Sequence, residues 1–310
     1  MRKKSMALLM PRNEYPVIQK IRIGMTLAFL LAVLIAVAGC TSADSSATGT
    51  AGNSEGLLNA TASDAVVFGQ MHVKMLEGTN EVFEYILSGE SDDKTEFLFS
   101  MVEAGVLNDE IRAVSDHHLL KEEYDAVDSS RTALIVSALA VIEEYETNGN
   151  VSASGLQAFE DDVDLMKSAF DEYADASYAT LPGGGNDPAV SLLKMQEELL
   201  ETVGESLEYV TLGNVEEKEE FYAGMDRFMA EAEAFNDTAY LRAGENVAVA
   251  NRYQAMMDAV TECRSAADIL FSAYEADKML SGEDFDAYEV SVDTMKAAYD
   301  TLMASVLATV

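Results

Sequence analysis

Glu84-Tyr85-Ile86-Leu87-Ser88-Gly89, followed by Lys94, Glu96, Phe97 and Met101, returns later in the chain as Glu208-Tyr209-Val210-Thr211-Leu212-Gly213, followed by Lys218, Glu220, Phe221 and Met225. Both stretches belong to a gapless match of 65–101 on 189–225, with an offset of 124 and 13 identities in 37 positions, where chance gives roughly three. A second block, 145–171 on 274–300, is offset by 129 and has 11 identities in 27, among them Val163/Val292, Asp164/Asp293, Met166/Met295, Lys167/Lys296 and Asp171/Asp300. The order of the blocks is the same in both copies, which identifies a tandem duplication. At the junction Pro182 and Pro188 bracket Gly183-Gly184-Gly185.

Within each copy the apolar residues recur at helical intervals. Phe159, Val163, Met166, Phe170 and Tyr173 step by 4, 3, 4 and 3, and Tyr288, Val292, Met295, Tyr299, Leu302 and Val306 repeat that rhythm. Phe68, Met71, Met75, Val82 and Ile86 form the first apolar stripe of one copy, and Leu192, Met195, Leu199 and Val203 that of the other. Gly89 and Gly213 fall where a helix ends, because glycine accepts the left-handed conformation of a C-terminal cap. Asp92 and Asp93, or Glu216 and Glu217, then place negative charge in the first turn of the next helix, with Ser91 or Asn214 as N-cap. The pattern predicts helices near 63–88, 92–112, 117–148 and 153–179, then 188–212, 215–236, 240–279 and 284–308. The predicted fold is all-α: two tandem up-and-down four-helix bundles at 63–181 and 189–310 joined by a Pro/Gly linker at 182–188. Two stacked helical modules sharing long helices remain the variant.

The front of the chain differs in composition. Six basic residues from Arg2 to Arg22 precede the apolar run Met25 to Ala38, which ends in Gly39 and Cys40, the pattern of a secretion signal over 1–39. Leu34-Ile35-Ala36-Val37-Ala38-Gly39-Cys40 resembles the lipobox of prokaryotic lipoproteins, in which the signal is removed and the cysteine becomes the lipidated first residue. The alternative is an uncleaved anchor helix; both put the remainder outside the cytoplasm. Residues 40–62, rich in Ser, Thr, Ala and Gly, read as a flexible tether. With Cys40 given to a lipid, Cys263 is the only other thiol; an intramolecular disulfide is excluded, and an inert buried thiol is expected.

The 310 residues carry 20 basic and 55 acidic side chains, a formal charge of -35. That excludes a nucleic-acid binder, which needs clustered Lys and Arg, while 49% apolar residues exclude a disordered polyanion. After residue 39 the balance is 14 basic against 54 acidic, or -40, spread over both copies as a solvated acidic surface.

Glu81 to Met101, with its aromatic and aliphatic pair, Ser-Gly turn and Lys-x-x-Phe continuation, resembles the first helical hairpin of extracytoplasmic sensor domains of chemoreceptors and sensor histidine kinases. The resemblance implies a four-helix bundle that binds a small ligand, often an organic acid, between helices or across a dimer interface. No second membrane span, linker helix, kinase or methylation region follows in this chain, so a sensing role implies a membrane receptor or kinase as partner.

No catalytic constellation emerges. His72 is replaced by Gln196 in the second copy and reads as a surface or satisfied residue, and the adjacent His117 and His118 face apart and cannot chelate together. Glu81/Glu84 and Glu205/Glu208 have the i, i+3 spacing of inward carboxylates, but the Glu-x-x-His partner of di-iron bundles is missing, so they read as a solvated acidic face with no metal. No nucleophile elbow, phosphate loop or zinc-ligand cluster is present, and neither an enzyme nor a cofactor is expected. Arg131, set between Ser129-Ser130 and the apolar run Thr132 to Val136, is the candidate for an anionic ligand, with a salt bridge as its bland alternative. Tyr85 and Tyr209 are candidates to cap a pocket, or are core. The expected function is a ligand-binding, sensor-like module anchored through a lipid on Cys40. Its rival is an acidic cell-envelope spacer or protein-interaction lipoprotein without a small ligand. Association of copies through bundle faces is compatible with both.

Overall fold

The computed structural model describes residues 62–115, 120–180, 188–236, 247–277, 280 and 282–307. Cys40, the signal, most of the tether, Gly183 to Gly185 and the His117-His118 pair lie outside the described residues. Those that are described form eight helices and no strand: α1 (Ala62–Ser88), α2 (Ser91–Ser115), α3 (Lys121–Asn148), α4 (Ala153–Thr180), α5 (Pro188–Leu212), α6 (Val215–Asn236), α7 (Val247–Asp277) and α8 (Gly282–Leu307). The all-α class therefore holds, and Gly89 and Gly213 end α1 and α5 at φ 72° and 77°, each donating its N–H to the carbonyl of Tyr85 or Tyr209. Asn214 accepts the N–H of Glu216 as expected of an N-cap, whereas Ser91 is already the first residue of α2.

Each half runs up, down, up and down. Phe68 stacks on Tyr173 while Phe83 meets Phe159, so α1 and α4 are antiparallel; in the second half Ser206 bonds Tyr288 and Leu192 bonds Tyr299 along α5 and α8. The heptad residues predicted on these helices are buried, Ile86 only partly, and they join into one apolar core that continues from one half into the other.

The halves meet along α1 and α5, which lie side by side and parallel. Two contacts fix the register: Gly69 faces Leu193, 124 positions on, and Asn80 donates from Nδ2 to the carbonyl of Leu200 at 3.1 Å. A Cβ at Gly204, the counterpart of Asn80, would stand 3.1 Å from Asn80 Oδ1, so the second copy leaves room for the amide of the first. Parallel packing at the repeat offset means that the halves are related by an approximate two-fold axis running along the helices. α4 and α8, which carry Lys167 and Lys296, flank the α1/α5 pair, and each reaches the first helix of the opposite half.

Gly213→Ala places a β-carbon in the left-handed region and 2.8 Å from Tyr274 Oη. It is expected to lower the unfolding free energy by about 1–2 kcal/mol, read as a shift of the urea midpoint at unchanged slope.

Candidate functional site

Two features converge on the seam: a pair of buried ion clusters and a pair of clefts. Glu205 and Glu208 lie on successive turns of α5, and Lys167 of α4 reaches them with Nζ at 2.6 Å from Glu205 and 3.9 Å from Glu208. Across the axis Lys296 of α8 reaches Glu81 of α1 at 3.3 Å, with Glu84 beside it. The expectation of a solvated acidic face is wrong here, because Glu81, Glu84, Glu205 and Glu208 are all buried, Glu84 and Glu208 almost wholly. Their neighbours come from both halves, Lys296 together with Asp93 beside Glu81 and Lys167 together with Glu217 beside Glu205, and the helix-local spacing of the four carboxylates contains no sign of it.

Burial pushes the carboxyl of Glu81 up to about 7 and that of Glu208 to about 8, against the pull of the lysine in each case. Burial, together with a hydrogen bond to Glu205, pushes Glu217 to about 9. For Lys167 burial opposes the charge, but Glu208 and Glu205 more than offset it and the ammonium is held. Glu160, Glu208 and Glu217 bring one oxygen each within 4.8 Å of one another, as do Glu205, Glu217 and Glu220. Such oxygen-only sets suit a hard divalent cation. Lys167 already supplies positive charge to the same nest.

The clefts are counterparts of each other. The first, about 450 Å³, lies among α1, α2, α5 and α8; Val73, Val102, Val106, Leu107, Leu193 and Met303 form its apolar walls. Val102 and Val106 are 36% and 45% exposed, unusual for such side chains, because they stand at its mouth. Its polar groups are Gln70, Gln196, Lys74 and three carboxylates, Glu77, Glu103 and Asp300, with Lys74 ion-paired to Glu77 at 2.8 Å and to Glu103 at 3.1 Å. The second, about 300 Å³, lies among α4, α5 and α6. At the repeat offsets Glu197, Glu198 and Glu231 replace Val73, Lys74 and Leu107, while Glu201 and Asp171 match Glu77 and Asp300. One frame thus carries two chemistries, apolar with a lysine in the first and acidic in the second.

His72, expected at the surface or satisfied, is buried and faces two carboxylates. It is 1% exposed, stacks on Phe170 and approaches Glu197 with Nδ1 at 3.4 Å and Glu201 with Nε2 at 3.8 Å. Nε2 has no hydrogen-bond partner. Burial opposes its charge, yet Glu197, Glu201 and Asp171 together hold the imidazole above its ordinary range.

The predicted ligand residues are not brought together. Arg131, half-buried on α3, pairs with Asp128 one turn earlier at 3.0 Å and lines neither cleft. Tyr85 is core, with Oη 3.5 Å from Glu146, which also holds Lys94 at 2.5 Å. Tyr209 repeats the arrangement with Glu275 at 3.0 Å and Lys218. Both tyrosines thus tie the end of a first helix to the third helix of the same half. Cys263 is buried as expected, and burial raises its thiol to about 11, which disfavours the thiolate.

Among the described residues no helix is long and apolar enough to cross a membrane. No family model, curated protein or solved structure matches the chain.

Lys167→Met leaves Glu205 and Glu208 buried without a cation and is expected to cost about 3–5 kcal/mol near pH 8, most of it recovered in Lys167→Met/Glu205→Leu/Glu208→Leu. Carboxyls raised to about 7–9 bind protons in the folded state that the unfolded chain has released, so stability falls as pH rises from about 5 to about 9. The melting temperature is expected to drop over that window. Glu208→Gln/Glu217→Gln should flatten the slope.

Proposed function

We propose that the chain is a ligand-binding, sensor-like helical module, anchored outside the cytoplasm through a lipid on Cys40 and acting with a membrane partner. One observation carries the reading: the first cleft joins apolar walls to a polar end of one lysine, two amides and three carboxylates, at the seam where the halves meet. Lys74 is paired with Glu77 and with the exposed Glu103, so a carboxylate that enters the cleft gains its charged contact by taking the place of Glu103 on the ammonium. The apolar walls suit the body of the same molecule. A small organic acid with an apolar tail is therefore the proposed ligand class, with Lys74, Gln70 and Gln196 on its head and Val106, Leu193 and Met303 on its tail. Arg131, held by Asp128, is left out of the site.

A spacer without a ligand is the second reading, and the swapped lysine clusters favour it. They pin the halves rigidly whether or not a cleft is filled.

In a thermal-shift screen of the full chain, a carboxylate at about 100 times its Kd is expected to add about 2.7 kcal/mol of stability. Val106→Trp, which fills the mouth, should abolish the effect, Lys74→Met should weaken it and Arg131→Ala should leave it unchanged. Absence of any stabilising carboxylate supports the spacer. Cys40→Ser should move the protein from the membrane fraction to the soluble fraction.

A further inference from the structure

We propose that the first cleft takes a zwitterion, whose ammonium is held by Asp300 while its carboxylate is held by Lys74. The inference rests on the reading of this cleft as a carboxylate site, and it narrows the ligand class from organic acids to amino acids with an apolar side chain.

Three carboxylates, Glu77, Glu103 and Asp300, share the polar end with one lysine, which leaves an excess of two negative charges. Glu77 and Glu103 are both ion-paired to Lys74. Asp300 of α8 has no ion pair and no hydrogen bond among the described residues; Lys74 and Lys296 act on it only through space. Its carboxylate is exposed at the cleft wall, within reach of a ligand. A carboxylate that enters alone raises the excess of negative charge, and repulsion opposes it. One that brings its own ammonium adds no net charge, and its N–H groups can donate to Asp300 and to the amide oxygens of Gln70 or Gln196. Val73, Val106, Leu193 and Met303 then face the side chain, in a cavity of about 450 Å³ that admits one of leucine or phenylalanine size.

Comparison of the two halves leads to the same group. Asp171 is the counterpart of Asp300, and the cation that acts on it most strongly is His72 of the opposite half. The counterpart of His72 is Gln196, which lines the first cleft and carries no charge. The first cleft thus repeats the carboxylate without the cation from across the seam, and a ligand's ammonium supplies one.

Isothermal titration of the full chain tests this with L-leucine and L-phenylalanine. Their comparators are 4-methylpentanoate and 3-phenylpropanoate, which lack the ammonium, and 3-methylbutylamine and 2-phenylethylamine, which lack the carboxylate. At least one amino acid is expected to bind tenfold or more tightly than both of its singly charged analogues. Asp300→Asn should weaken that amino acid at least tenfold and leave its acid analogue as tight or tighter. Asp171→Asn, the same change in the second half, should alter either affinity less than twofold, and Val106→Trp should abolish both. Acid analogues that match the amino acids, or equal losses of the two in Asp300→Asn, would overturn the inference and leave the carboxylate reading in place. Amines that match the amino acids would overturn both readings, as would the absence of binding by every compound.

Discussion

Lys167 and Lys296 each leave the half of the chain that carries them and neutralise buried carboxylates of the other. A carboxylate in an apolar interior is costly unless it is paired or protonated, so neither first helix is comfortable without the last helix of its neighbour. In the structure the cation that faces Glu84 and Glu208 comes in each case from the opposite half. The exchange of lysines is therefore what turns a duplicated sequence into one body with a continuous core, and it fixes α1 against α5 in parallel register. Everything placed along that seam, the clefts included, inherits its geometry.

The duplication has preserved this frame while the walls diverged. Residues that build the frame recur in both copies: Glu81/Glu205, Glu84/Glu208 and Lys167/Lys296, which join the halves, and the Tyr-Glu-Lys sets Tyr85-Glu146-Lys94 and Tyr209-Glu275-Lys218, which tie helices within each half. Residues that line the clefts differ, with Val73 opposite Glu197, Lys74 opposite Glu198 and Leu107 opposite Glu231. A rigid scaffold with two equivalent hollows can vary one without disturbing the other. That separation is what allows an apolar cleft and an acidic cleft to coexist in a single molecule.

The helices were legible because each depends on local information: a 3–4 apolar rhythm, a glycine at φ 72° or 77°, an acidic first turn. The clefts were not, because their walls come from helices distant in sequence whose adjacency no periodicity reveals. Glu81 and Glu84 read as solvated for the same reason, since the cation that answers them is Lys296, at the far end of the chain. One signal was present all the same. Exposed charges drift freely between copies, so the joint retention of two glutamates and one lysine in both halves marks them as constrained. His72 lacked even that, its counterpart being Gln196. Arg131 drew attention as a basic residue beside an apolar run, but Asp128 one helical turn before it supplies a partner within the same helix.

The clefts and the ion clusters are also neighbours along the same helices. On α4, Lys167 and Asp171 are one turn apart, and on α5 Glu201, Glu205 and Glu208 follow on successive turns; α8 and α1 repeat this with Lys296, Asp300, Glu77, Glu81 and Glu84. A charged group in either cleft therefore lies about one helical turn from the lysine that joins the halves, inside an environment where burial weakens screening. Any slide of α4 against α5 changes the distance from Lys167 to Glu205 and the width of the acidic cleft together. Affinity in the cleft and the alignment of the two halves thus draw on the same few ångströms of helix register.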